Sequence, residues 1–156
     1  MNKILHATLA LLFLFSLVSC KNQKEMNATV DQVAEQIDSQ LGQYTFIDSN
    51  ERYLRSNIEF QTDFVVDYAA KRCDNGSTCE YGIFECVTER HGEQLSDQIE
   101  ARIEKRLELA DNRYFTDEIA NLRNAKVEQN GRYVFYCILP LKDQKTALNI
   151  FEKAFE

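Results

Sequence analysis

Val30, Val33, Ala34, Ile37 and Leu41 recur at spacings of three and four residues, the period of a helix with one buried face. Thr29 with Gln32 supplies a capping box at its start, and Gly42 a stop. Between Gln43 and Gln61 the pattern is mixed: Tyr44, Phe46 and Ile47 are apolar, and a short helix is suggested only from Asn50 to Arg55. Alternation then takes over. From Asp63 to Arg72, Phe64, Val66, Tyr68 and Ala70 oppose Val65, Asp67 and Lys71, which predicts a half-buried strand. Asp74, Asn75, Gly76 and Ser77 are turn residues, and a second strand from Glu80 to Thr88 completes a hairpin that turns Phe84 and Cys86 away from Glu85.

Leu95, Ile99, Ile103, Leu107 and Ala110 outline a long, highly charged helix. A weaker segment from Thr116 to Leu122 leads into a third strand, Ala125 to Gln129. Asn130 and Gly131 are expected to supply the positive dihedrals of a tight turn, and Arg132 to Leu139 returns as the fourth strand. Pro140 stops that strand. Asp143 is expected to cap a last helix whose stripe is Ala147, Leu148, Phe151, Ala154 and Phe155. The order helix, β-hairpin, helix, β-hairpin, helix predicts an α+β domain: a four-stranded antiparallel sheet with helices packed on one face.

The first twenty residues follow another logic. Lys3 precedes a mostly apolar run from Leu9 to Val18, too short for a stable membrane span, and Leu17, Val18, Ser19 and Cys20 form a lipobox. A leader of residues 1–19 is expected to be cleaved before Cys20, whose thiol takes a diacylglyceryl group. Two or three acyl chains then anchor the protein, at about 0.8 kcal/mol per buried methylene. The polar stretch 20–28 reads as the lipidated cysteine with its tether, and 29–156 as one domain. The expected location is the cell membrane or outer membrane, lipid-anchored, facing the periplasm or the exterior.

Charge narrows the partners. Without the leader, 17 basic residues face 25 acidic ones, a formal charge of about −8. The basic residues are scattered among acids, so nucleic acid is excluded as a partner and anionic headgroups are disfavoured. The membrane is reached through the N-terminal lipid, and the remaining partner class is another envelope protein.

Cys73 and Cys79 flank a five-residue turn and could form a disulfide, which in the chain-entropy model stabilises by roughly 2–3 kcal/mol. Their spacing does not match the two-residue redox motif. Cys86 and Cys137 read as small buried hydrophobes that adjacent strands could bring together. His91, the one histidine of the mature chain, lies at the entry to the long helix, where exposure is the usual condition; by itself it cannot make a multi-histidine metal site. Asp117 with Glu118, and Glu51 with Asp48, read as solvated faces or helix starts. Of Tyr44, Tyr53, Tyr68, Tyr81, Tyr114, Tyr133 and Tyr136, some are expected on the outer face of the sheet, as a row suited to protein or sugar recognition. No nucleophile elbow or phosphate-cradling loop is present, and no cofactor is implied.

The lipobox, the Val30–Leu41 helix and the strand with Phe64, Val65, Val66 and Tyr68 lead to Ile83 and Phe84 before a charged helix. With Asn124 to Val127, the Asn130–Gly131 turn, Tyr133 to Phe135 and the Phe151 helix, the chain resembles the bacterial lipoproteins grouped as domain of unknown function 4358. The resemblance implies the location and the fold and transfers no functional residue; the extra cysteines and the Cys73–Cys79 loop depart from it. The expected role is a non-catalytic binding or scaffolding module acting through the sheet face or its edge loops. The alternatives are an envelope enzyme using His91 or clustered acids, and a thiol redox protein using Cys73 and Cys79.

Overall fold

The computed structural model describes residues 25–110 and 116–156. The leader, the lipobox with Cys20, and Tyr114 lie outside the described residues.

Thr29 caps helix α1 (Val30–Gln40): its hydroxyl accepts the Gln32 N–H at 3.2 Å, and the Gln32 side chain accepts the Thr29 N–H at 3.0 Å. Strand β1 (Phe46–Asp48), helix α2 (Glu51–Ile58), strand β2 (Val65–Cys73) and strand β3 (Glu80–Cys86) follow. Helix α3 (Glu89–Glu108) begins on Thr88, and helix α4 (Thr116–Arg123) precedes strands β4 (Lys126–Asn130) and β5 (Tyr133–Ile138). Helix α5 (Leu141–Lys153) closes the order. It starts directly after Pro140 with no side-chain cap; Asp143 sits in its first turn and instead accepts the Tyr44 hydroxyl at 2.6 Å.

The sheet has five antiparallel strands, not four, in the order β1-β2-β3-β5-β4. The additional one, β1, is a three-residue edge strand that places Phe46 opposite Cys73. At the second hairpin Asn130 pairs with Tyr133, so the loop is Gly131 and Arg132, and Gly131 alone takes a positive φ, +60°.

Helices cover both faces of this sheet rather than one. Ala69, Tyr81, Ile83, Phe135 and Cys137 meet Val33, Ile37 and Leu41 of the α1 segment and Ala147 and Phe151 of α5. Tyr68, Ala70, Phe84, Cys86, Val134, Tyr136 and Ile138 turn to the other side, against Leu54 and Ile58 of α2, Leu95, Ile99 and Ile103 of α3, and Leu122 of α4. The cause is written in β5. Tyr133 to Ile138 carries no polar alternation and every residue is buried, so both faces of the strand need an apolar cover. The result is an α+β domain of three layers.

Candidate functional site

Glu80 opens β3 on the same face as Gly82, Phe84 and Cys86, so its carboxylate enters the second core. Arg102 lies three residues after Ile99 and seven after Leu95, on the buried stripe of α3, and Arg106 is one turn further on. Both guanidiniums converge on Glu80. Arg102 binds the carboxylate through both terminal nitrogens, Nη1 to Oε1 and Nη2 to Oε2, the latter at 3.0 Å. Arg106 Nη1 donates to Oε1 at 3.0 Å, and the Tyr53 hydroxyl of α2 donates to Oε2 at 3.2 Å. Glu80 and Arg102 are buried. Burial by itself would pull the Arg102 pKa down, but the Glu80 charge more than offsets this and holds it above the ordinary value. Burial, then Glu80, pushes the Tyr53 phenol up.

Four donors fill the lone-pair positions of one carboxylate, so Glu80 is spent on pairing. The chemistry that remains lies beside it. A cavity of about 490 Å³ opens between α2 and α3, lined by Asn57, Gln98, Ala101, Arg102, Lys105 and Leu109 among others. Arg102 Nε and Gln98 Oε1 are buried with no hydrogen-bond partner in the protein. Both atoms belong to residues that line this cavity, one a donor and the other an acceptor, the reverse of the pair that an amide carries. A larger groove of about 950 Å³ runs between α1 and α5, lined by Gln32, Gln36, Lys145 and Asn149 among others.

The residues expected to carry chemistry are placed differently. His91 is the third residue of α3, half-buried, its N–H on the Thr88 hydroxyl and its ring stacked on Phe64 with centroids 4.6 Å apart. It is neither exposed nor part of the cavity lining. Glu51 pairs with Arg55, Asp48 with Lys71, and Glu118 accepts the Thr78 N–H at 3.1 Å; Asp117 is exposed. Among the described residues no group of three or more His, Cys, Asp or Glu is placed to hold a metal ion, and no helix is long and apolar enough to cross a membrane.

Cys73 and Cys79 sit opposite each other at the mouth of the first hairpin, with the Cys73 N–H on the Cys79 carbonyl at 2.9 Å. Both are thiols in this structure, and they share a side-chain hydrogen bond. Burial, then the neighbouring Cys79, pushes the Cys73 thiol up to about 11, and burial raises Cys79 as well, so neither is a ready thiolate at neutral pH. Cys86 and Cys137 belong to opposite faces. Cys137 lies opposite Tyr81, five residues along β3 from Cys86 and thus about 17 Å away, so the two cannot bridge.

The expected tyrosine row does not form, because the helices occupy both sheet faces. Tyr81 is buried and donates to Asp38 at 2.6 Å, Tyr133 donates to Glu25 at 2.8 Å, and Tyr136 is buried beneath the Glu80 cluster. Among the described tyrosines, Tyr53 is the one that hydrogen-bonds to Glu80. The signals that could have disclosed that site are an acid on the core-facing parity of a strand and an arginine inside an apolar helical stripe.

A family model described as "Domain of unknown function (DUF4358)" matches residues 47–139, a segment that holds strands β2 to β5 and Tyr53, Glu80, Arg102 and Arg106. Searches of curated proteins and of solved structures find no match.

Proposed function

The chain belongs to the family of the domain of unknown function DUF4358, and from that premise we propose that it is a lipid-anchored, non-catalytic binding module of the bacterial cell envelope. Cys20 carries the lipid, and the α2–α3 cavity takes a polar, amide-bearing group of an envelope component. The observation that supports the binding reading is a cavity large enough for a small ligand group, lined by Gln98 and Arg102, each of which carries one buried polar atom without a partner in the protein. The tight pairing of Glu80 supports a rigid wall rather than a reacting group. A second reading, a thiol redox protein using Cys73 and Cys79, has the facing thiols in its favour and their raised pKa against it.

Two measurements test this proposal. Cells producing the intact chain and fed an alkyne fatty acid should label it, and Cys20→Ser should abolish the label. A photocrosslinking residue at the exposed position Ala101 should give a discrete adduct in intact cells. Gln98→Ala removes the cavity acceptor without touching the ion cluster and should remove that adduct. An adduct indifferent to Gln98, or none at all, ends the binding reading.

A further inference from the structure

Glu25, the first described residue, is already docked. Its Oε2 receives Arg132 Nη2 at 2.8 Å and the Tyr133 hydroxyl at 2.8 Å, and those two donors hold its carboxyl below the usual value. Arg132 also pairs with Glu85 at 2.8 Å. Asn27 N–H donates to the Ala154 carbonyl at 2.7 Å, and Met26 and Ala28 pack against the first core. The second half of the expected tether is therefore part of the domain, fastened at the end of the sheet where β3 finishes and β4 turns into β5. Five residue steps separate Cys20 from Glu25, a reach of at most about 18 Å.

The surface of that same end bears two bare apolar side chains. A register shift between Val65 and Asp67 turns Val66 outward, 60% exposed, and Val87 beyond the end of β3 is 48% exposed, its N–H on the Phe64 carbonyl. Asp63, Asp67 and Glu89 outnumber Arg90 near them in the chain, so this rim suits an uncharged or zwitterionic headgroup layer rather than an anionic one. The opposite end holds Glu80, about 20 Å away along β3, and with it the Arg102 and Arg106 side of the cavity between α2 and α3.

The geometry points to the tethered end, with Val66 and Val87 at its rim, as the surface that rests against the bilayer. The Glu80 cluster, with the Arg102 side of the cavity, then lies away from the lipid. This orientation rests on the acylation of Cys20 in the proposed function. It follows from where the tether docks, and not from any attraction of the acidic body to the membrane.

The chain contains no tryptophan, so a single introduced one is a clean depth probe. Val87→Trp at the tethered end and Asn75→Trp at the far hairpin both occupy exposed positions. The acylated full chain is placed in phosphatidylcholine vesicles containing a lipid with a nitroxide on its headgroup. Emission from Val87→Trp should be mostly lost, and that from Asn75→Trp nearly unchanged. Equal losses, or a greater loss at Asn75→Trp, overturn the orientation while acyl mass on Cys20 and flotation with the vesicles leave the anchor standing. A chain whose Cys20 carries no acyl mass overturns both.

Discussion

At the residue scale the decisive feature is a carboxylate held between two guanidiniums inside the protein. Removing one member of a buried pair leaves the other charged and unsolvated, which costs about 3–5 kcal/mol, whereas exchanging both for apolar residues is often close to neutral. Glu80→Gln and Arg102→Met should each lower urea-unfolding stability by that amount, and Glu80→Met combined with Arg102→Met should lose less than either single change. Glu80 and Arg102 are legible in the sequence as exceptions: one breaks the apolar run of β3, the other the apolar stripe of α3. Their meeting is not legible, because neither pattern says which strand lies under which helix. Gly82 is a second such position. A Cβ there would stand 2.6 Å from Tyr136 Cε1 and 2.8 Å from Phe84 Cε2, so the glycine lets the stacked rings cross the strand. Gly82→Ala should cost about 1–3 kcal/mol in thermal melts, as overpacked cores do.

At the scale of elements, α1 shows how far local chemistry reaches. Its cap, its stripe and its end follow from fourteen consecutive residues, Thr29 to Gly42, and the structure reproduces them. Thr29→Ala should cost about 1 kcal/mol, seen as a lower unfolding midpoint. The first hairpin carries a different expectation. If Cys73 and Cys79 join in an oxidising compartment, peptide mapping of protein isolated without reductant should find them linked, and reduction should lower stability by roughly 2 kcal/mol. Strand β1 escaped the sequence pattern because three residues are too few to display a period. Asp143 does not cap the last helix because that helix starts at Leu141, directly after Pro140, which makes Asp143 its third residue and leaves its carboxylate to accept the Tyr44 hydroxyl.

For the whole molecule, the two-faced cover leaves thiols and phenols deep inside. Burial pushes Cys86 and Cys137 up to about 12 from an ordinary 9.0, and raises Tyr81 and Tyr136 in the same direction. The unfolded chain releases these protons first as pH rises, so their contribution is complete below about pH 9 and is lost as pH climbs through the alkaline range. Thermal midpoints should accordingly hold level up to that point and fall beyond it; a midpoint that stays level at higher pH contradicts the buried placement. The continuous apolar run from Tyr133 to Leu139 already announced a strand covered on both sides, and the alternation of Asp63 to Arg72 masked it by suggesting an open face.

What the chain settles alone is whatever depends on neighbours within a turn or a pleat: the helical stripes, the alternating strand, the tight turns, the cap of α1 and the lipobox pattern. What only the fold decides is who meets whom across long stretches of chain. Glu80 and Arg102 are 22 residues apart, Tyr53 and Glu80 27, Glu25 and Tyr133 108. Periodicity sorts side chains into inside and outside, but a partner is chosen by the packing of layers, and that choice made the ion cluster, covered the tyrosines of the sheet with helices and docked Glu25 at one end of the domain.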